Sequence, residues 1–146
     1  MSTERRATVS ETDVASYTHW TEVNLRYGDT DRQGHINNAV FATLLESGRV
    51  AFLFNEKGKV VAGIGKAYVI AKLTMDFLAE MNFPGVVRVG TKVVSTGRSS
   101  FTLGQAIFLN GKCCSTAQSV IVLTDEQTRR STPLTESLLE QLTRYS

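Results

Sequence analysis

Residues 39–54 constrain this chain more than any other stretch, because only Thr43, Glu46, Ser47, Gly48 and Arg49 among them are not apolar. A helix on a protein surface shows a narrower apolar stripe, so one that is apolar round most of its girth must sit inside something that wraps it. The wrapping material follows in the sequence. From Gly65 onward the texture is β for some sixty residues, and a chain of 146 residues is long enough for one substantial core but too short for two ordinary domains. The expected fold class is α+β, a long central helix wrapped by a curved antiparallel sheet of about five strands.

The elements can be placed individually. Residues 1 to about 18 are polar and without period, so they read as a flexible tail, with Tyr17 and Trp20 able to pack where the domain begins; His19 reads as a surface residue of the tail, and a single domain spans 19–146. Glu22–Tyr27 alternates as a half-buried strand and Gly28–Gly34 breaks it. Asn37 or Asn38 can cap the helix that follows, and Gly58 is placed for its left-handed C-cap. Ala67–Phe77 is a long strand closed by the Asn82-Phe83-Pro84-Gly85 turn, and Val87–Val93 is a second. Phe101–Leu109 is a third, and Asn110-Gly111 signals a tight hairpin into a fourth over Lys112–Leu123. These four read as one long meander. Leu134, Leu138, Leu139 and Leu142 predict a short closing helix behind Pro133.

Several functions are excluded early. With 16 Lys+Arg against 14 Asp+Glu and no basic stripe, nucleic acid is not an expected partner. No run approaches a membrane span and the N-terminus lacks a signal-peptide core, so the expected location is cytoplasmic, with no membrane partner. Phosphate-binding and dinucleotide-binding glycine patterns are absent. Gly97-Arg98-Ser99-Ser100-Phe101 is not a nucleophile elbow. Two histidines and the adjacent Cys113 and Cys114 offer few metal ligands, so neither a metal nor a cofactor is expected. The two cysteines should point to opposite faces of their strand as small hydrophobes.

What remains is the loop Asp29-Thr30-Asp31-Arg32-Gln33-Gly34-His35-Ile36-Asn37-Asn38. Two carboxylates, an imidazole and three amides stand directly ahead of a helix N-terminus, whose unpaired N–H groups and positive dipole end suit an oxyanion. A carboxylate there can deprotonate water or attack as a nucleophile. The plainer alternative is that these residues only cap and turn.

Arg26–Phe41, with Leu45-Glu46-Ser47-Gly48-Arg49, Met75-Asp76-Phe77-Leu78, Pro84–Thr91 and Gly97–Phe101 in the same order, closely resembles the hotdog-fold acyl-CoA thioesterases related to 4-hydroxybenzoyl-CoA thioesterase. The resemblance covers about residues 20 to 125. It implies that Asp31 is the catalytic carboxylate, as general base or nucleophile, and that the Asn38 backbone N–H polarises the thioester carbonyl. Gly34 would let substrate approach closely. The His-x-Asn-Asn form is also similar to plant acyl-carrier-protein thioesterases, which implies that His35 orients water or the carbonyl. Under this reading Phe41 lines the acyl pocket, and Arg98, Ser99 and Ser100 are candidates for the phosphates or pantetheine of coenzyme A. As a plain reading, Arg98 is a solvated strand charge. Glu46 is expected to pair with Arg49, the alternative being a role at the substrate.

The function so implied is hydrolysis of an acyl-CoA thioester to a carboxylic acid and free coenzyme A. The family builds its site between two subunits, which implies a homodimer or a homotetramer of two dimers. The rivals are an acyl-carrier-protein thioesterase of the same fold and a hotdog protein that binds acyl-CoA without hydrolysing it.

Overall fold

The computed structural model describes residues 10–54 and 62–146, so Gly58 and its expected cap lie outside the described residues. The elements are β1 (His19–Asn24), α1 (Asn38–Leu53), β2 (Lys66–Phe77), β3 (Val86–Thr96), β4 (Ser100–Leu109), β5 (Lys112–Asp125) and α2 (Glu136–Thr143). All strand pairs are antiparallel, in the order β1-β3-β4-β5-β2. The β4–β5 turn is as expected, with Asn110 and Gly111 at φ 53° and 79°, the positive values a type I′ turn needs.

The single meander does not form. Only β3, β4 and β5 run as consecutive hairpins, while β2 pairs along the far side of β5, from Lys66 opposite Asp125 to Phe77 opposite Ser115. This arrangement gives the 14-residue β5 a partner on each side and leaves β1 and β2 as the edges. The link from β2 to β3, residues 78–85, must therefore cross the end of the sheet, and it does so alongside the loop that precedes α1.

One face of α1 lies on the sheet. Phe41, Leu44 and Leu45 pack with Val87, Val89 and Ile107; Phe52 and Leu53 pack further along with Val93, Leu103 and Leu123, beneath Leu138 and Leu142 of α2. The helix comes closest at Gly48, where a Cβ would stand 2.5 Å from Val89 Cγ1. Beside it the buried Gln105 donates to the Leu45 carbonyl (3.1 Å) and to Thr91 Oγ1 (3.1 Å), and accepts from Arg49 Nη1 (3.4 Å). This polar tie joins helix to sheet where no water can replace it.

The curved sheet covers the apolar face of α1 as expected, and Ala39, Thr43, Glu46, Val50 and Phe54 form a stripe open to solvent in the single chain. Two expectations need correction. Glu46 makes no ion pair with Arg49. The Arg49 guanidinium turns inward to Gln105, where burial pushes its pKa down and the nearby Glu46 charge opposes that shift. His19 is not a surface residue, since it is buried in β1 with its ring edge-on to Phe52 (5.4 Å) and Tyr145 (6.4 Å).

Within 10–18 Tyr17 packs on the domain, whereas Ser10, Asp13, Val14 and Ala15 are exposed. Tyr17 is buried edge-on to Trp20 and Phe108, and Thr18 Oγ1 donates to the Tyr145 carbonyl (2.7 Å). Cys114 is in the core and Cys113 in the cluster with Tyr17, Trp20 and Phe108; both are free thiols. Among the described residues, no helix is long and apolar enough to cross a membrane.

Candidate active site

The loop between β1 and α1 is organised by backbone hydrogen bonds before any side chain is considered. Asp31 N–H donates to the His35 carbonyl (2.7 Å), Gly34 N–H to the Asp31 carbonyl (3.2 Å) and Asn37 N–H to the Asp29 carbonyl (2.9 Å). Gly34 completes the turn at φ 83°, a conformation that a side chain would strain.

Its two aspartates face different surroundings. Asp29 is buried, and its carboxylate accepts from Arg26 N–H (2.8 Å) and Arg26 Nη2 (2.9 Å). Burial pushes its pKa up, but the hydrogen bonds and charge of Arg26 outweigh burial and hold the carboxyl below its ordinary value. Asp31 is exposed. Its Oδ1 accepts from Gln33 N–H (2.9 Å) and His35 N–H (3.1 Å), whereas Oδ2 has no partner among the described residues. One oxygen is thus fixed by the backbone and the other left open.

The helix terminus contributes a free donor. Asn37 is the cap: its Oδ1 accepts from Ala39 N–H (2.9 Å) and its carbonyl from Val40 N–H (2.9 Å). That leaves the Asn38 N–H without an acceptor among the described residues, at the positive end of a helix of 16 residues.

The 78–85 link forms the opposite wall. Leu78 and Ala79 donate to the Cys114 carbonyl, Ile36 N–H donates to the Met81 carbonyl (2.8 Å), and His35 bridges to Asn82. Between link and loop lies a cleft of about 370 Å³ that brings together Asp31, His35, Asn38, Phe41, Phe77 and Glu80. Phe41 is buried and its ring meets Phe77 edge-on at 5.2 Å, which gives the cleft an aromatic floor. Glu80 Oε2 stands 3.1 Å from His35 Nε2. Sequence reasoning missed Glu80. It follows the end of a strand with no pattern of its own, and its partner is 45 residues away.

The other candidates do not converge here. Glu46 lies eight residues beyond Asn38, about 12 Å along the helix, and borders a separate groove with Arg49, Val50, Phe54 and Tyr68. Leu25 N–H donates to the Gly85 carbonyl, so the loop adjoins the start of β3, whereas Arg98 and Ser99 form the turn beyond its other end and Ser100 opens β4. Ten strand steps separate those ends, about 33 Å. At that turn the Arg98 carbonyl accepts from Leu134 N–H and the Ser99 carbonyl from Leu123 N–H. Among the described residues, no cluster of three His, Cys, Asp or Glu side chains could hold a metal ion.

Comparison with known proteins is consistent with this geometry. The family model for the thioesterase-like superfamily matches residues 25–142. The acyl-acyl carrier protein thioesterase ATL3 of Arabidopsis thaliana is 34% identical over 94 residues, which span 63% of this chain but only 46% of that relative. A Thermus thermophilus thioesterase solved in complex with coenzyme A and zinc is 28% identical, with a TM-score of 0.71 over 84% of this chain and 90% of that one. The PA5185 protein of Pseudomonas aeruginosa has a TM-score of 0.79 at 23% identity, over 89% of this chain and 92% of that one, a likeness of fold alone. The five-stranded curved sheet with its long helix is the hotdog fold.

Proposed function

The chain belongs to the thioesterase-like superfamily, and from that premise we propose that it hydrolyses acyl-CoA thioesters to a carboxylic acid and free coenzyme A. The observation that carries the reading is the open Oδ2 of Asp31 in the same cleft as the unbonded N–H of Asn38. As general base, Asp31 takes a proton from water while the water oxygen adds to the acyl carbon. Negative charge then develops on the thioester oxygen, where the Asn38 N–H and the helix terminus stabilise it; one such donor is worth about 3–4 kcal/mol of barrier. Collapse breaks the C–S bond, and the departing thiolate receives the proton from Asp31. As nucleophile, Asp31 would instead expel the thiolate itself and form an anhydride that water opens.

The coenzyme A form is favoured over the carrier-protein form by the ligand of the Thermus relative, whereas the name of the Arabidopsis relative favours the other. A net charge of +2 decides neither. A panel of acyl-CoA and acyl-carrier-protein thioesters with a free-thiol readout separates the readings. Fastest thiol release from acyl-CoA is the expected result, and tight acyl-CoA binding with no release from any thioester would replace hydrolysis with binding.

The working unit in this proposal is a homodimer or a tetramer of two dimers. β2 is an edge strand with a free row of backbone groups, and Val69, Ile70, Leu73 and Phe77 are exposed along it, beside Val50 and Phe54 of the open helix stripe. Long apolar edges of this kind pair with another chain. Arg98, Ser99 and Ser100, too far from the cleft of their own chain, would then serve the cleft of a second copy.

A further inference from the structure

The contact between Glu80 and His35 has no part in the chemistry above. Both side chains line the cleft, and Glu80 is 71% exposed, so the pair adds little to the fold. The root of the imidazole is fixed: His35 N–H donates to Asp31 Oδ1, its carbonyl accepts from Asp31 N–H, and its backbone bridges to Asn82. Only the ring is left to be set. We propose that Glu80 is a positioning residue that holds the proton of the neutral His35 ring on Nε2, so that Nδ1 is presented as an acceptor for the attacking water beside Asp31.

The chemistry follows from the acceptor. An ionised carboxylate can only accept, so with Glu80 Oε2 3.1 Å from Nε2 the neutral ring gains from carrying its hydrogen on that nitrogen. In the neutral ring the lone pair then falls to Nδ1. The opposite tautomer would turn a donor toward water whose own protons must leave, which is the wrong polarity for orienting an attack. His35 takes no proton in this scheme: it accepts a hydrogen bond while Asp31 performs the transfer. The inference rests on the hydrolytic reading only for its kinetic consequence; the tautomer can be read without substrate.

The test uses the full-length protein. The chain has two histidines, so a His35→Ala spectrum assigns the ring of His35 by difference. At about pH 8.5, well above the ordinary imidazole range, two-bond proton–nitrogen correlation is expected to show a single Nε2–H tautomer in the wild type and averaged nitrogen shifts in Glu80→Ala. Glu80→Gln, whose amide oxygen can accept from Nε2–H, should restore the single tautomer. In thioester turnover, Glu80→Ala should lower kcat roughly tenfold, the equivalent of one orienting hydrogen bond, with KM unchanged and with recovery in Glu80→Gln. In a His35→Ala background the same substitution should have no further effect. Unchanged shifts in Glu80→Ala, or an equal kcat loss with and without His35, would overturn the proposal. If no thioester is cleaved by the wild type, the hydrolytic reading fails while the nitrogen shifts still decide the pairing.

Discussion

Asp29 and Asp31 stand two residues apart on one loop, yet the structure gives them opposite surroundings. The Asp29 half of the loop is closed: the carboxylate is buried, accepts from Arg26 and caps a short turn. The Asp31 half is open: the residue lines a cleft, one carboxylate oxygen is held by two backbone N–H groups, and the other has no partner among the described residues. Satisfied polar groups hold a structure together, and unsatisfied ones in a cleft are available to a ligand. The difference is the basis on which the proposed function gives Asp29 to the fold and Asp31 to the chemistry, although the two carboxylates are identical in type.

The largest effect should come from Asp31→Ala. Loss of a positioned base costs about 10²- to 10⁴-fold in rate, and that loss is expected in thiol-release assays. Asp29→Ala in the same assay should keep turnover per folded molecule. Its defect should appear instead in denaturant unfolding, at about 1–2 kcal/mol, because the Arg26 N–H loses its acceptor. Asp29→Ala with wild-type stability and lost turnover would reverse the assignment.

Gly48→Ala should act on stability alone, by about 1–3 kcal/mol, since the added Cβ would collide with Val89 and crowd Gln105 Nε2. Thermal or denaturant melts measure it. The smallest expected effect is in acid. The folded pKa of Asp29 is lowered, so the stability it contributes is present above the ordinary carboxylate value of about 4 and is lost as pH falls through the folded value. Asp29→Asn should therefore have a flatter acid limb than the wild type in stability measured against pH. An equally steep limb in both proteins would mean that Arg26 does not hold that carboxyl.

Local signals in the sequence were enough for much of this molecule. The helix over 38–53, the long strands and the Asn110-Gly111 turn come from periodicity and turn chemistry, and these act between near neighbours. The crowded loop stood out because eight of the ten side chains over 29–38 are polar and an apolar run follows. What the sequence hid depends on contacts across the chain. Hairpin signals say which consecutive strands meet, but nothing local says that β2 pairs with β5. Arg49 and Glu46 are one helical turn apart and suggest a pair, yet Gln105, 56 residues from Arg49, draws the guanidinium inward. His19 resembles its polar neighbours in sequence, although Phe52 and Tyr145 enclose it in space.

The central claim is tested most directly by the turnover of Asp31→Asn on the thioester that the wild type cleaves fastest, measured per mole of folded protein. Asparagine keeps an oxygen for the Gln33 and His35 N–H groups, so the loop retains its shape while the proton acceptor is gone. The account predicts an unchanged unfolding midpoint and a kcat reduced by about 10²-fold or more. Turnover equal to that of the wild type in a folded Asp31→Asn protein would contradict it.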